Sequence, residues 1–167
     1  MLALQIKDVK HFMGKLLATE LFDSFLLEEA TIISYNTFHI DGRMNKEYYS
    51  NEEWEEASIR PYEFSEWKNI RPILFDLIKG KKTPVSFKFV LHLMPRFVAG
   101  VLKSADTTIT AEQIRALVLT CRFEEGSLTL ITGTSFHTFL LDRSVEPLWD
   151  STIKTFLNRK EISYEEL

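Results

Sequence analysis

The hydrophobic positions of this chain change their spacing several times, and each change predicts a structural element. Apolar residues between positions 6 and 17 recur every three or four residues, which predicts a helix over 8–17 after a short strand at 2–6. Apolar and polar residues then alternate over 85–93, as in a strand that is buried on one face. A short helix from Pro95, strands over 114–123, 127–133 and 135–142, and a final helix over 145–158 complete the pattern. This mixture predicts an α+β fold.

Two stretches of the chain carry nearly the same pattern without a gap. Residues 25–41 read FLLEEATIISYNTFHID and residues 123–139 read FEEGSLTLITGTSFHTF, which sets Phe38-His39 against Phe136-His137. The echo has three possible origins: a duplicated structural unit, a paired histidine site, or a coincidence between β-rich sequences. Because a strand and an amphipathic helix precede each stretch, we interpret it as two degenerate βαβββ repeats with an added C-terminal helix. We expect a single domain over 1–167, with repeat 1 at about 1–50, a connection with a helix over 51–83, repeat 2 at about 84–142 and the last helix at 145–158.

Turn and cap signals refine the connection. Asp41-Gly42 predicts a hairpin with a returning strand in RMNKEYY, because glycine tolerates the positive φ of a type I′ turn. Ser50 and Glu53 have capping-box spacing before a short acidic helix, EEWEEAS. The next helix is predicted over 69–79, so that Pro72 lies in its first turn. The lysines at 79, 81 and 82 suit its C-terminal dipole, and the tail from 158 is predicted to be loosely held.

Composition adds limits on function. With 45% hydrophobic, 26% charged and 13% aromatic residues, the 167-residue chain has the composition of a globular protein with a bulky core. Its net charge of −4 argues against general coating of nucleic acid, although a local basic surface is compatible with it. Cys121, the single cysteine, lies in an apolar run and is expected to be a buried, inert thiol. No signal peptide, membrane span or cofactor motif is present in the sequence, so we expect a cytoplasmic location, no membrane association and no cofactor.

The histidines offer the main candidate for chemistry. His39 and Asp41 would lie on the same side of a strand, where a metal or an acid–base reaction could use them, and His137 is the repeat partner of His39. The sequence contains no HExxH motif, nucleophile elbow or phosphate loop. We therefore assign these side chains to structural or surface roles first, and a pocket near them is the alternative.

Two resemblances to known families rest on particular stretches. SFKFVLHLMPRFVAGVLKSAD followed by RALVLTCRFEEGSLTLITGTSFHTFLLD resembles one repeat of the DNA sliding-clamp superfamily. That resemblance implies helices that present basic residues to DNA, and sheet edges that join domains. The residues in those positions are Lys7, Lys10, Lys15, Arg96 and Lys103. Separately, DVKHFMGKLL, FDSFLL and NTFHIDGRMNKEYY resemble an uncharacterised bacterial family of unknown function.

These observations lead to one main expectation and one alternative. The main expectation is a non-catalytic, clamp-like binding module for a protein partner or nucleic acid, able to self-associate through its sheet edges. Clamp subunits have more than one such domain and this chain is acidic, so we assign the basic residues first to the solvated faces of amphipathic helices. The alternative is an enzyme or a ligand- or metal-binding protein with a pocket near His39, Asp41 and His137.

Overall fold

The computed structural model describes residues 1–56 and 62–167, so Ala57 and Ser58 of the predicted acidic helix lie outside the described residues. Its strands are β1 (Ala3–Ile6), β2 (Phe25–Ile33), β3 (Thr37–Asp41), β4 (Ser65–Glu66), β5 (Ser86–Leu93), β6 (Ile114–Glu124), β7 (Ser127–Phe136) and β8 (Tyr164–Glu166). Its α-helices are α1 (Val9–Ala18), α2 (Asn51–Glu55), α3 (Trp67–Ile78), α4 (Pro95–Leu102) and α5 (Val145–Arg159). Short 3₁₀ turns occupy Lys46–Tyr48 and Ala111–Gln113. The predicted α+β class is confirmed.

All the strands belong to one antiparallel sheet. Its order is β3-β2-β5-β6-β7-β1-β8, and β4 pairs with β2 beyond the end of β3. β6 and β7 form a long hairpin at the centre, whereas β1 and β8, from opposite ends of the sequence, pair at one side. β3 ends the path on the other side.

One face of the sheet is covered by helices, and we call it the covered face. The buried side chains of α1, α3, α4 and α5 form a single hydrophobic core with alternate residues of the strands. Phe87 and Phe89 of β5 stack with their centroids 4.9 Å apart, and Phe87 also stacks on Phe123 of β6 at 5.1 Å. Trp67 at the start of α3 closes this row against Phe89 at 5.7 Å. The aromatic content of the sequence is therefore concentrated between the sheet and its helices.

The opposite face, which we call the open face, contributes none of these core residues. The register aligns one side chain from each of six neighbouring strands in a row across it, and all six are half-buried or exposed: His39, Thr31, Lys88, Arg122, Thr129 and Gln5. Among the described residues, a small second cluster of Leu26, Phe64 and Met94 packs at one end. An antiparallel sheet commonly has one packed and one solvated face, and this sheet follows that pattern.

The two echoing stretches fold differently, so the two-repeat prediction is not confirmed. Residues 31–39 form the end of β2, a turn at 34–36 and most of β3, whereas residues 129–136 continue straight along β7. Phe38 lies in the edge strand opposite Ile32, while Phe136 pairs with Ile114 at the end of a central hairpin. Each half does run strand, helix, strand, strand, but β5 lies beside β6 whereas β1 is remote from β2.

Several predicted element bounds were wrong for identifiable reasons. RMNKEYY forms one isolated bridge, Arg43 to Phe64, and a 3₁₀ turn instead of a strand, and residues 137–142 do not extend the sheet. α3 begins at Trp67, so Pro72 lies in the helix interior at an exposed position. Burial of Trp67, whose indole N–H donates to the Leu16 carbonyl at 3.1 Å, determines this start. The tail is also held, because β8 pairs with β1 and buries Ile162.

Candidate functional site

The free edge of β3 is the first feature that could bind another molecule. The inner side of β3 pairs with β2 from Glu29–Asp41 to Ile33–Thr37. Within the described residues, no strand pairs with its outer side. An edge strand presents a row of backbone N–H and C=O groups that another extended chain can pair with.

Side chains of the edge alternate between the two faces of the sheet. Phe38 and Ile40 are half-buried against the core, whereas Thr37, His39 and Asp41 are exposed on the open face. Tyr35, in the turn before β3, packs edge-on against Phe38 with centroids 5.7 Å apart and remains 83% exposed. The edge therefore carries an apolar row that continues beyond the end of the strand.

A cleft of about 350 Å³, the edge cleft, lies next to this turn. Its walls are the 34–35 turn, the end of α3 and the loop that leads into β5. Leu77, Ile78, Pro84 and Val85 supply an apolar lining, and Val85 is 68% exposed. The Val85 amide donates to the Ile33 carbonyl at 2.8 Å and so fixes the loop to β2.

Three lysines line the edge cleft. Lys79 pairs with Asp76 at 2.9 Å and lies over the ring of Phe75. Lys81 and Lys82 form no ion pair within the part of the chain that the structure describes. The cleft therefore combines an apolar lining with uncompensated positive charge.

The sequence carries signals for this cleft but does not connect them. The lysines suit the dipole of the preceding helix, and Val85 fits the alternation of β5, although it is exposed and precedes that strand. Only the pairing of β2 with β5 brings the lysine loop beside the Tyr35 turn. Sequence spacing alone does not reveal that pairing.

Of the predicted nucleic-acid-binding residues, Lys7, Lys10, Arg96 and Lys103 are exposed and Lys15 is half-buried. The Lys15 ammonium donates to the Lys160 carbonyl at 2.8 Å, next to the end of α5. The Arg96 guanidinium lies over Phe97, 4.7 Å from its centroid. Lys10 and Lys15 lie on α1, which packs against α3, and Arg96 lies on α4, which packs against α5. Lys7 precedes α1 and Lys103 directly follows α4, so the five residues belong to two separate helical segments.

The three residues of the alternative pocket do not meet. His39 Nδ1 is 3.0 Å from the Thr31 hydroxyl, and the Asp41 carboxylate accepts the Arg43 amide hydrogen at 3.0 Å. His137 follows β7, four strand positions from β3, or about 19 Å at a spacing of about 4.8 Å per strand. Residues 1–56 and 62–167 contain no group of three histidine, cysteine or acidic side chains that could hold a metal ion.

Cys121 matches the prediction of a buried thiol. It lies in β6 on the covered face and is 1% exposed. Burial raises the pKa of the Cys121 thiol far above its ordinary value, because the thiolate would lose its hydration. The side chain therefore has the properties of a core residue.

Comparison with known proteins identifies a family but no activity. A model described as "Family of unknown function (DUF5721)" matches residues 15–165, and the chain belongs to this family. No curated protein and no solved structure matches the chain. Across the described residues, no helix has both the length and the apolar character needed to cross a membrane.

Proposed function

We propose that the chain is a non-catalytic binding module for a protein partner, and that a segment of the partner pairs with the free edge of β3. The observation that carries this proposal is the open backbone edge beside the edge cleft. An added strand gains main-chain hydrogen bonds that do not depend on its sequence. Specificity must then come from side-chain contacts at the end of the strand.

The edge cleft determines the kind of partner segment. Tyr35 and Val85 offer exposed apolar surface, and Lys81 and Lys82 offer positive charge that no acidic side chain among the described residues pairs with. A segment with one large apolar side chain and adjacent aspartate or glutamate residues would complement both features. Opposite charges at the rim raise the association rate and select the partner.

Binding of nucleic acid through basic helices, as in a clamp, is the second candidate function. Its residues belong to two helical segments, one packed on α3 and the other on α5, and the Lys15 ammonium already donates to a backbone carbonyl. The net charge of −4 also opposes a polyanion. Its supporting features are the exposure of Lys7, Lys10 and Lys103 and the sequence resemblance itself.

Selection from a library of random 12-residue peptides tests the proposal. We expect enriched peptides to contain an apolar residue next to acidic residues, and to perturb the backbone amide NMR signals of β3. The double variant Lys81→Glu/Lys82→Glu should weaken their binding about tenfold or more, since two attractive charges become repulsive. The matched control Lys10→Glu/Lys15→Glu changes the net charge by the same amount, but on α1, and should leave peptide binding unchanged.

Three results would overturn this assignment. Equal binding by the Lys81→Glu/Lys82→Glu variant would remove the edge cleft from recognition. Salt-dependent retention of duplex DNA that is lost in Lys10→Glu/Lys15→Glu would favour nucleic acid. Light scattering could also reveal a dimer. If the amide NMR signals of β3 then change on dilution, a second copy of the chain occupies the edge.

A further inference from the structure

Two β-bulges interrupt the described part of the sheet, and both deliver a charged residue to the same pocket. One lies in β2, where Leu27 pairs with Leu91 and Glu29 with Val90, so that Glu28 is the extra residue. The other lies in β6, where Ile114 pairs with Phe136 and Ala116 with Ser135, so that Arg115 is the extra residue. A bulge re-aims a side chain out of the regular alternation, and bulges are common beside binding sites.

The pocket has a volume of about 280 Å³ and lies on the open face at the end of the sheet near Phe64. We call it the bulge pocket; Glu28, Phe64, His92, Arg115, Val118 and Ser135 are among its lining residues. It is distinct from the edge cleft, with which it shares no lining residue. Ligand pockets generally have volumes of about 300–1,000 Å³, so the bulge pocket is slightly smaller than that range and suits a small ligand.

Glu28 is held firmly at one side of the bulge pocket. The Gly42 amide donates to the Glu28 carbonyl at 2.7 Å, and a Cβ on Gly42 would lie 1.9 Å from the Leu27 carbonyl oxygen. The Glu28 Oε2 atom is 2.5 Å from His92 Nε2, and Phe64 packs edge-on against the His92 ring at 5.0 Å. Glycine at 42 is thus required for the bulge, which in turn orients the carboxylate.

Glu28 uses only one carboxylate oxygen in this contact. No hydrogen bond within the described residues engages Oε1, and the side chain is 43% exposed. Oε1 is therefore available to a hydrogen-bond donor in the pocket. A cationic donor would form the stronger bond because both partners are charged.

Arg115 supplies the opposite charge at the other side. Its guanidinium forms no ion pair within residues 1–56 and 62–167, and it is exposed. The other lining acid, Glu63, is already paired with Arg43 at 2.9 Å. Two charges of opposite sign thus line one small pocket without contacting each other, and the apolar side chains of Ala116 and Val118 lie in the same wall.

We propose that the bulge pocket binds a small zwitterion of the amino-acid type. The ligand carboxylate would pair with the Arg115 guanidinium, which can donate two parallel hydrogen bonds to it. The ligand ammonium would donate to Glu28 Oε1, and the apolar part would pack on Val118 and the edge of Phe64. A dipolar ligand satisfies both charged residues at once, which neither a simple anion nor a simple cation would do.

Titration of the ¹⁵N-labelled chain with each of the twenty free amino acids tests this inference. We expect at least one to shift the amide signals of Glu28, His92 and Arg115. For a leucine-like hit, the matched probes are 4-methylpentanoate, which lacks the amine, and 3-methylbutylamine, which lacks the carboxylate. Each should bind about tenfold or more weakly, since each forfeits one charged hydrogen bond. No shift with any amino acid, or equal binding of a matched probe, would overturn the proposal.

Variants of the two charged residues test which group of the ligand each one binds. Arg115→Met should reduce affinity for the amino acid about tenfold or more while leaving the weak binding of 3-methylbutylamine unchanged. Glu28→Gln should likewise reduce affinity for the amino acid, but it should leave the weak binding of 4-methylpentanoate unchanged. Arg122→Met is the control, because Arg122 lies on the same strand and pairs with Glu124 outside the pocket. Loss of binding in the control comparable to that in Arg115→Met would contradict the assignment.

Discussion

The two faces of the sheet are built from the same strands but differ in almost every physical respect. On the covered face, stacked aromatic rings and buried aliphatic side chains fill the space beneath four helices. On the open face, charged and hydroxyl side chains form cross-strand rows, and both bulges direct a charged residue into its pocket. The comparison teaches that one face supplies stability, which leaves the other free to carry unpaired charge. Substitutions on the two faces should therefore have different consequences.

The largest loss of stability is expected on the covered face. Phe89 is fully buried, stacks on Phe87 and contacts Trp67. Phe89→Ala should lower the free energy of unfolding by about 3–5 kcal/mol, because it removes a large apolar group and leaves a cavity. Urea denaturation followed by circular dichroism measures this loss. Phe89→Leu is the control and should cost less, and a loss below about 1 kcal/mol for the alanine variant would contradict the role of the aromatic row.

The next effect links the two faces through Gly42. Because a Cβ there would collide with the Leu27 backbone, Gly42→Ala should force the β2 bulge to shift and cost about 2 kcal/mol. Gly14 is the control, since it lies in α1 with open space around it. Gly14→Ala should instead stabilise the chain by about 0.5–1 kcal/mol. Thermal and urea unfolding of both variants give the comparison, and equal behaviour would show that the bulge does not depend on glycine.

A smaller effect is expected at the ion pair between α3 and the loop after α1. Arg71 Nε and Nη2 donate to the two oxygens of Asp23 at 2.9 and 3.2 Å, and hydrogen bonding to Asp23 raises the pKa of Arg71. Both side chains are about four-fifths buried. Asp23→Asn should therefore cost about 1–2 kcal/mol, more than an exposed pair would. Asp76→Asn removes the exposed partner of Lys79 and should cost less than about 0.5 kcal/mol.

How far the sequence predicted this fold depends on the kind of signal. Periodicity located β5 and α5 within one residue of their observed bounds, and α4 at its observed start, because burial on one face leaves a repeating pattern. It also predicted the buried Cys121. Tertiary pairing decided what periodicity could not: β7 runs straight through Gly133-Thr134-Ser135 because β6 supplies a partner strand over that whole length. The similar stretch Ser34-Tyr35-Asn36 becomes a turn instead.

The candidate sites were less accessible to sequence reasoning than the fold. The sequence does not mark Glu28 or Arg115 as a bulge residue, and only the pairing register shows that each is an extra residue. Gly42 carried a turn signal, yet the observed need for glycine is the close approach of the Leu27 carbonyl. A local signal can thus mark the right residue for the wrong reason, because the constraint comes from Leu27 of β2, fifteen residues earlier in the sequence.

The smallest change in the free energy of unfolding is expected at Lys88, which is next to Phe89 in the sequence. Lys88 lies between Phe87 and Phe89 in β5 but points to the open face, where its ammonium is 3.3 Å from Glu29 and half exposed. Lys88→Met keeps the length of the side chain and should change the free energy of unfolding by less than about 0.5 kcal/mol, because water and salt screen an exposed ion pair. The same urea experiment used for Phe89→Ala measures it. A loss of 2 kcal/mol or more would show that the open face also stabilises the fold, and the division between the two faces would then fail.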